Sequence, residues 1–187
     1  MNYKCLQKQA YEMPGFSIEP IRFEDKYDIM QWRNQQLYHL RQHEPLTKEV
    51  QENYFTNVVS KLFSEERPNQ ILFSYLQNNV CLGYGGLVHI NWADKNAEIS
   101  FVMNTILEEG SFVLHWTNFL GMLEQVAFNE LKFHKIFTYA FDLRKQLYEA
   151  VESVGYKKEA ILKEHRRFEG KFIDVVIHSK WNQNDQL

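Results

Sequence analysis

One stretch of the chain, residues 111–131, has a stronger periodic signal than any other and sets the first constraint on the fold. Its apolar residues recur at spacings of three and four, at Phe112, Trp116, Phe119, Leu120, Leu123, Val126, Ala127 and Leu131. This spacing predicts an amphipathic helix with one deeply buried face, because residues three and four apart lie on the same side of a helix. The rest of the fold must cover that face.

The elements after this helix indicate a parallel crossover. Residues 135–141 read as a strand, and a further helix is marked by its apolar positions Leu147, Ala150, Val151 and Val154. Gly155 is a suitable left-handed residue to end that helix. A helix, a strand and a helix in this order imply that the strand lies parallel to an earlier one.

The stretch before the long helix has a period of two. Apolar residues alternate with polar or small ones at Ile71, Phe73 and Tyr75, and Asn78-Asn79 provides a turn. Residues 80–90 continue extended, residues 94–96 turn the chain again, and residues 97–103 form another strand. This pattern predicts an antiparallel meander of three strands.

A strand and two helices are predicted before the meander. Residues 16–23 alternate apolar and polar residues, which is typical of a strand. Asp25 is expected to cap a short helix that runs to Asn34, because its carboxylate can accept free N–H groups of the first turn. Thr47 opens the second helix, which has its apolar positions at Val50, Tyr54, Val58 and Leu62 and ends before Pro68.

A final hairpin is predicted from residues 156–167 and 171–180 around Glu169-Gly170. The whole pattern predicts the α/β (α+β) class: a single domain with a mixed, mostly antiparallel sheet and helices on both faces. No repeat or flexible linker divides it. We therefore expect a domain over residues 16–181, a loose N-terminal extension over 1–15 and a loose C-terminal tail over 182–187.

Charge and composition exclude several partners. The chain has 21 lysines and arginines against 24 aspartates and glutamates, and no segment is densely basic, so we expect no nucleic acid partner. No apolar run approaches the ~20 residues needed to cross a bilayer, so we expect no membrane partner and a cytoplasmic location. Cys5 and Cys81 are expected to be reduced thiols.

Motifs for several common chemistries are absent from the sequence. It has no Gly-x-x-x-x-Gly-Lys-Ser/Thr loop for nucleotide phosphates and no Gly-x-Ser-x-Gly elbow for a serine nucleophile. The glycine-rich run over residues 83–86 precedes a strand rather than a helix, so we interpret it as strand geometry. His39 and His43 have neither an HExxH pattern nor a third ligand nearby, so no metal site is expected.

The order of the predicted elements resembles that of the Gcn5-related N-acetyltransferases, and particular residues carry the resemblance. Asn96–Phe101 is similar to the fourth strand of that family, and Glu124–His134, reading EQVAFNELKFH, is similar to its next helix and turn. Val154-Gly155-Tyr156 and the stretch EGKFIDVVIHS from Glu169 to Ser179 are similar to the C-terminal region of the branch that contains the ribosomal-protein N-terminal acetyltransferases. The resemblance extends over residues 16–181.

The resemblance implies acetyl-CoA as a co-substrate and two stretches that bind it. The fourth and fifth strands of the family splay apart and leave unpaired backbone N–H groups, which here implies a role for Ser100, Phe101, Val102 and Met103. The phosphate loop before the next helix implies a role for Gly110, Ser111, Phe112 and Val113. This loop departs from the family pattern Gln/Arg-x-x-Gly-x-Gly/Ala, because it has one glycine, no arginine and two carboxylates, Glu108 and Glu109. Anionic side chains beside a diphosphate are unfavourable unless they point away.

The implied reaction is direct attack of a primary amine on a thioester, which needs a base and an oxyanion donor. Glu98 is the first candidate base, and a sheet-edge ion pair is its alternative role. His115 is the second candidate, and its alternative role is that of a helix-face histidine. Tyr148 could replace the family's usual tyrosine, at whose position this chain has Val151; its alternative role is packing.

The acceptor is expected between the loop over residues 37–47 and the final hairpin. Trp32-Arg33-Asn34 is similar to a tripeptide in acetyltransferases that modify amino groups of nucleotide-linked sugars; core packing and local capping are its alternative roles. Further polar and aromatic contacts are expected from Tyr38, His39, His43, Arg166 and Phe168. We therefore expect N-acetylation of a small-molecule amine, with an amino sugar ahead of a protein N-terminus. A non-catalytic module of the same fold with a degenerate cofactor loop is the competing hypothesis, and a homodimer is left open.

Overall fold

The computed structural model describes residues 1–183, and one eight-stranded sheet organises them in the order β1-β2-β3-β4-β5-β6-β8-β7. The strands are β1 (Tyr11–Met13), β2 (Phe16–Pro20), β3 (Ile71–Gln77), β4 (Val80–Asn91), β5 (Asn96–Met103), β6 (Lys135–Phe141), β7 (Lys157–Phe168) and β8 (Lys171–Trp181). Only β5 and β6 pair in parallel; every other neighbouring pair is antiparallel. The predicted mixed, mostly antiparallel sheet is confirmed.

The helices are α1 (Lys26–Gln35), α2 (Lys48–Tyr54), α3 (Ser60–Leu62), α4 (Glu108–Glu124) and α5 (Lys145–Ser153), with π-helical turns at Phe55–Val59 and Gln125–Glu130. The apolar face predicted for the long helix is buried in α4 and the π-helical turn that extends it. Glu109 and Gly110 have non-helical backbone angles, so the regular part of α4 begins after Gly110. The helix over 111–131 is thereby confirmed in its position and in its buried face.

The turns of the meander and the hairpin form where they are predicted. Asn78 and Asn79 have φ angles of 49° and 65°, and Glu169 and Gly170 have 46° and 79°. These left-handed conformations suit asparagine and glycine and match the twist of two-residue hairpin turns. The three-strand meander, the parallel crossover and the final hairpin are all confirmed.

The first strand and its helix differ from the prediction. β2 ends at Pro20, and Asp25 makes no side-chain capping bond to α1. Its buried carboxylate instead accepts hydrogen bonds from Arg22 at 2.8 Å and from Ser74 Oγ at 2.6 Å. A paired guanidinium and a hydroxyl stabilise a buried carboxylate more than a helix end does, so the predicted cap at Asp25 is wrong.

The second helix begins as predicted but buries a different face. Thr47 Oγ1 accepts from Val50 N at 3.3 Å, which confirms the cap. Val50 and Val58, however, are 51% and 38% exposed, while Phe55 and Val59 are buried. The π-helical turn adds a residue to one turn, so a strict spacing of 3.6 does not hold across it.

The N-terminal segment packs against the sheet. Tyr3 is 1% exposed, and its hydroxyl bonds both the N–H and the C=O of Leu72 at 2.9 Å. Leu6 and Tyr11 are also buried in the core. The expectation of a loose N-terminal end is therefore wrong, because its aromatic residues bury against β3. The division into an extension, a domain and a tail stays a prediction, and residues 184–187 of that tail lie outside the described residues.

Candidate active site

The parallel strands β5 and β6 separate halfway along their length. Their register runs from Asn96 opposite Lys135 to Ile99 opposite Thr138 and ends there. Beyond this point β6 stays paired with β8 through Phe141, while residues 100–103 of β5 have a strand partner only in β4. The divergence leaves a gap between the two strands at the position where the splay is expected.

Backbone groups of β5 point into this gap. Asn104 N–H donates to Leu82 O at 2.8 Å, toward β4. Because hydrogen-bonding directions alternate along an extended strand, the N–H groups of Phe101 and Met103 point the other way, into the gap. On this side of the strand, Gln36 Nε2 donates a hydrogen bond of 2.8 Å to the Met103 carbonyl oxygen. The strand thus offers N–H donors without a strand partner.

A cavity of about 430 Å³ opens at the gap. Its walls come from α1, the loop after it and strands β3 to β6. The charged side chains in its lining are three arginines and one carboxylate: Arg33, Arg41, Arg144 and Glu98. Two histidines and three tyrosines add polar surface: His39, His89, Tyr54, Tyr84 and Tyr139. The cavity therefore has an excess of positive charge.

Glu98 lies in this cavity on the last paired stretch of β5. It is 7% exposed, and Oε1 accepts a hydrogen bond from Arg41. The Arg41 guanidinium also stacks on the Tyr139 ring, 4.4 Å from its centroid. A carboxylate fixed by a rigid strand and one arginine keeps its second oxygen, Oε2, for another partner.

His89 lies near that second oxygen, with Nε2 4.0 Å from Oε2. The β4–β5 register shifts between Val88 and Asn91, and His89 has a left-handed φ of 49° in this irregular stretch. Bulges of this kind redirect side chains near functional sites. Burial and the positive charge of Arg41 both lower the pKa of His89, which favours the neutral form of its ring.

The tripeptide Trp32-Arg33-Asn34 divides into three roles. Trp32 is buried in the core, and Asn34 fastens the following loop to α1 by bonding Leu46 N and O at 2.7 and 2.9 Å. Arg33 alone lines the cavity, where it donates to Tyr84 and to Gln42. The alternative structural roles thus describe Trp32 and Asn34, and Arg33 remains a candidate for contact with the acceptor.

His39 and Tyr38 follow α1 in a single turn of 3-10 helix. His39 lines the cavity, and its Nε2 lies 2.7 Å from Nη1 of Arg144. Burial and the charge of Arg144 lower the pKa of His39 to about 3, so this ring is neutral at pH 7. Tyr38 is exposed beside it and does not line the cavity, and neither do His43, Arg166 and Phe168. Of these expected acceptor contacts, the structure brings only His39 to the cavity.

The loop before α4 retains one feature suited to phosphate. Gly110 has a φ of 82°, and a Cβ built there would meet no atom within 4 Å, so the backbone of this turn is accessible. Glu108, one of the two carboxylates of this loop, is paired with Arg144 Nη2 at 3.2 Å. Phe112 is buried beneath that arginine, Ser111 Oγ donates to Leu107 O, and Val113 is exposed. The gap donors and this open turn fit acetyl-CoA.

Two predicted catalytic residues lie outside the cavity. His115 is buried in the core, where Nδ1 lies 3.0 Å from the Tyr75 hydroxyl, because it shares the buried face of α4. Tyr148 donates to Asp142 at 2.9 Å, and its ring stacks on His178. Neither residue lines the cavity. Their placement agrees with their alternative, structural roles, and Glu98 is the predicted catalytic residue that the structure places at the gap.

The cavity residues that sequence reasoning missed include Arg41, His89, Tyr139 and Arg144. Arg41 lies in the loop expected to contact the acceptor, but nothing in its neighbourhood marks it out. Tyr139 is an alternating strand residue, a pattern that predicts one buried and one open face without saying which face lines a site. Within residues 1–183, no group of three or more His, Cys, Asp and Glu side chains is arranged to hold a metal ion.

Comparisons with known proteins agree with this architecture. A model of the acetyltransferase (GNAT) domain matches residues 18–177. A crystal structure of spermidine N-acetyltransferase from Vibrio cholerae in complex with CoA and spermine has a TM-score of 0.76 at 15% identity, over 91% of this chain and 97% of that one. A mutant form of the same Vibrio cholerae enzyme has a TM-score of 0.75 at 17% identity, over 91% and 95% of the two chains. A putative acetyltransferase has a TM-score of 0.68 at 16% identity, over 94% and 88%. Identities this low show a shared fold alone.

None of the helices in the described part of the chain is long and apolar enough to cross a membrane.

Proposed function

This chain belongs to the acetyltransferase (GNAT) family and is an acetyl-CoA-dependent N-acetyltransferase, and from that premise we propose that its acceptor is a small-molecule amine with an anionic group. A nucleotide-linked amino sugar is the acceptor class that combines a primary amine with phosphates. The observation that carries this proposal is the charge of the cavity, which three arginines and one carboxylate line.

The charge argument separates this acceptor from a polyamine. Arg144 is paired with Glu108, and His39 is neutral at pH 7, so the charges left for an acceptor are those of Arg33 and Arg41 against Glu98, a net one positive charge. A polyamine carries several positive charges and would be repelled there, whereas phosphate or carboxylate groups would be attracted. Spermine is bound in the Vibrio cholerae structure of the same fold. The shared fold therefore does not indicate that this chain acetylates spermine.

The residues that would hold acetyl-CoA are those of the gap and the α4 loop. When bound, acetyl-CoA would supply the acetyl thioester: its acetyl group would pass to the amine nitrogen, and the C–S bond would break to release CoA as a protonated thiol. The N–H groups of Phe101 and Met103 would be donors for the thioester oxygen and for an amide carbonyl of the pantetheine in the gap. Gly110 lets the backbone approach a phosphate closely at the start of α4.

Glu98 is the residue that takes the proton from the acceptor amine. Glu98 lines the same cavity as Phe101, and its hydrogen bond from Arg41 is accepted by Oε1 rather than Oε2. Arg41 fixes the carboxylate through Oε1 and leaves that second oxygen available to an amine or a bridging water. Arg33 and Arg41 then bind the anionic part of the acceptor and orient its amine.

An acceptor panel followed by release of free thiol tests this proposal. The panel contains a uridine-diphosphate amino sugar, spermidine and a peptide with a free N-terminus, each with acetyl-CoA. We expect turnover with the anionic amine to exceed that with spermidine. Turnover with spermidine alone would contradict the anionic acceptor, and turnover with the peptide alone would make the chain a protein N-terminal acetyltransferase. Absence of acetyl-CoA binding by calorimetry would favour the non-catalytic module.

Two further parts of the proposal concern assembly and location. We propose a homodimer through the outer β7–β8 hairpin, where Ile161 and Phe172 are exposed, Phe172 by 66%. Large exposed apolar side chains on neighbouring strands are typical of interaction surfaces. Light scattering should give the dimer mass for the wild type and the monomer mass for Phe172→Ser.

We also propose a cytoplasmic location, where acetyl-CoA is available, and fractionation of the native cells tests it.

A further inference from the structure

Arg144 is a buried cation, and its partners do not use all of its N–H donors. It is 8% exposed, and its Nε has no hydrogen-bond partner among residues 1–183. A buried guanidinium normally uses its planar set of five N–H donors, so a free donor beside a cavity indicates a missing acceptor. We infer that Arg144 binds the diphosphate of acetyl-CoA and that Glu108 occupies this arginine when acetyl-CoA is absent. The inference rests on the use of acetyl-CoA by the proposed function.

The groups that face Arg144 supply one negative charge. Glu108 accepts from Nη2 at 3.2 Å, and the neutral ring of His39 faces Nη1. On the α4 side the guanidinium lies over the Phe112 ring, 4.9 Å from its centroid. Tyr38 is the remaining titratable group near it, and it is exposed. One longer contact to one carboxylate oxygen is weaker than the bidentate pairing that arginine makes with phosphate.

The position of Arg144 links the two sides of the gap. It follows the end of β6 and directly precedes α5, whereas Glu108 begins α4 on the other side. The Glu108–Arg144 pair therefore bridges the mouth of the gap, next to the turn at Gly110. Arg144 also lines the cavity that contains Glu98. An anion that reached the start of α4 would meet this arginine from the opposite strand.

The charge of the α4 loop explains why an arginine from elsewhere is needed. Residues 104–114 contain no lysine or arginine and two glutamates. A diphosphate at this helix start would gain only from backbone N–H groups and would be repelled by both carboxylates. Glu108 is partly exposed, so it can turn toward water and leave Arg144 to the phosphates. Exchange of a carboxylate for a diphosphate keeps the buried cation paired in both states.

Binding measurements on variants test this inference without any turnover assay. The dissociation constants of CoA and of pantetheine, which has no phosphate, are measured by calorimetry for the wild type, Arg144→Gln, Arg144→Lys and Glu108→Gln. Arg67→Gln, at an exposed arginine in the loop before β3, is the matched control. We expect Arg144→Gln to weaken CoA binding at least tenfold and to leave pantetheine unchanged, and Arg144→Lys to lie between. We expect Glu108→Gln to strengthen CoA binding, because it removes the competing carboxylate.

Several results would overturn the inference. Equal losses for CoA and pantetheine would assign Arg144 to the pantetheine arm, and unchanged CoA affinity in folded Arg144→Gln would remove it from the site. Unchanged or weaker CoA binding by Glu108→Gln would show that Glu108 does not compete. Weaker binding of the anionic acceptor with unchanged CoA affinity would assign Arg144 to the acceptor. If Arg144→Gln does not fold, the CoA dissociation constants of Arg144→Lys and Glu108→Gln still test the inference. A wild type that does not bind CoA would instead refute the proposed function.

Discussion

The two halves of the β5–β6 pair differ in what their backbone does. From Asn96 to Ile99 the strands form a regular parallel ladder, which uses the hydrogen-bonding groups of both edges. From Ser100 to Met103 the edge of β5 has no strand partner on the β6 side, and Ser100 and Phe101 line the cavity. Glu98 belongs to the paired half, one residue before the ladder ends. The closed half thus holds the carboxylate rigidly, and the open half provides the donors and the space.

This difference shows how a continuous sheet can contain a reaction site. A carboxylate on a mobile loop would lose orientation, whereas a ladder residue keeps it at a fixed distance from the gap. The open half has N–H groups that a ligand must satisfy, since buried backbone donors are rarely left unpaired. Substitutions can disturb one half at a time.

Replacement of the ladder carboxylate should have the largest effect. Glu98→Gln keeps the volume and the contact with Arg41 but cannot accept a proton. We expect kcat to fall about 10²–10⁴-fold with little change in the affinity for acetyl-CoA. Steady-state kinetics with calorimetry measures both, and the limb of the pH profile that reports the base should disappear. Near-normal turnover in the folded variant would show that Glu98 acts only as an ion-pair partner.

Removal of a cavity cation should reduce acceptor binding. Charge-assisted hydrogen bonds contribute about 1.5–3 kcal/mol, so Arg41→Gln should raise the KM for an anionic acceptor by about 10–100-fold. The side chain is 40% exposed, which places the expected effect near the lower end. Kinetics with a neutral amine gives the matched comparison, because its KM should change less. Equal changes for both acceptors would contradict a role in charge recognition.

Strain in the turn of the open half should weaken the binding of acetyl-CoA moderately. Gly110→Val introduces no clash, since a Cβ would meet no atom within 4 Å, but it forces valine into a φ of 82°. That conformation costs about 1–3 kcal/mol, and relief of the strain would move the loop. We expect the dissociation constant of acetyl-CoA to rise by about tenfold, measured by calorimetry. Unchanged affinity in the folded variant would place the phosphates elsewhere.

Acidification should destabilise the open half slightly through His39. In the folded protein its pKa is about 3, against 6.5 for the free side chain, so between these values the unfolded chain binds the extra proton. The free energy of unfolding therefore falls as the pH falls, by about 0.7 kcal/mol between pH 7 and pH 6. Urea unfolding of His39→Asn should lack this part of the pH dependence, and His43→Asn in the same loop should retain it. An identical slope in both variants would exclude His39 as its source.

The sheet could be predicted from the sequence because its signals are local. Alternation over residues 71–75, the asparagine turn and the apolar stripe of α4 each have one physical interpretation. The N-terminal segment could not be predicted, since Tyr3 is buried by a hydrogen bond to Leu72, a residue distant in sequence. Local spacing also could not foresee the π-helical turn that changes the buried face after α2.

Much less of the candidate site could be predicted. Glu98 is marked by its strand, and Arg33 by a tripeptide, but Arg41, His89 and Arg144 come together through tertiary packing. His89 faces Glu98 because of a bulge in β4, and no sequence pattern around residue 89 predicts one. His115 and Tyr148 show the converse error, since a residue type suited to catalysis can lie on a buried or an outer face. Such choices of face depend on the packing of several elements at once.

Amide hydrogen exchange along β5 tests the central claim most directly, that the open half of the β5–β6 pair holds acetyl-CoA. The exchange rates of residues 96–103 are measured with and without saturating acetyl-CoA, and calorimetry on the same sample establishes saturation. We expect exchange to slow at Phe101 and Met103, whose N–H groups point into the gap, and to stay unchanged at Ala97 and Ile99, which the ladder with β6 already protects. Unchanged exchange at Phe101 and Met103 in the saturated protein would contradict the claim.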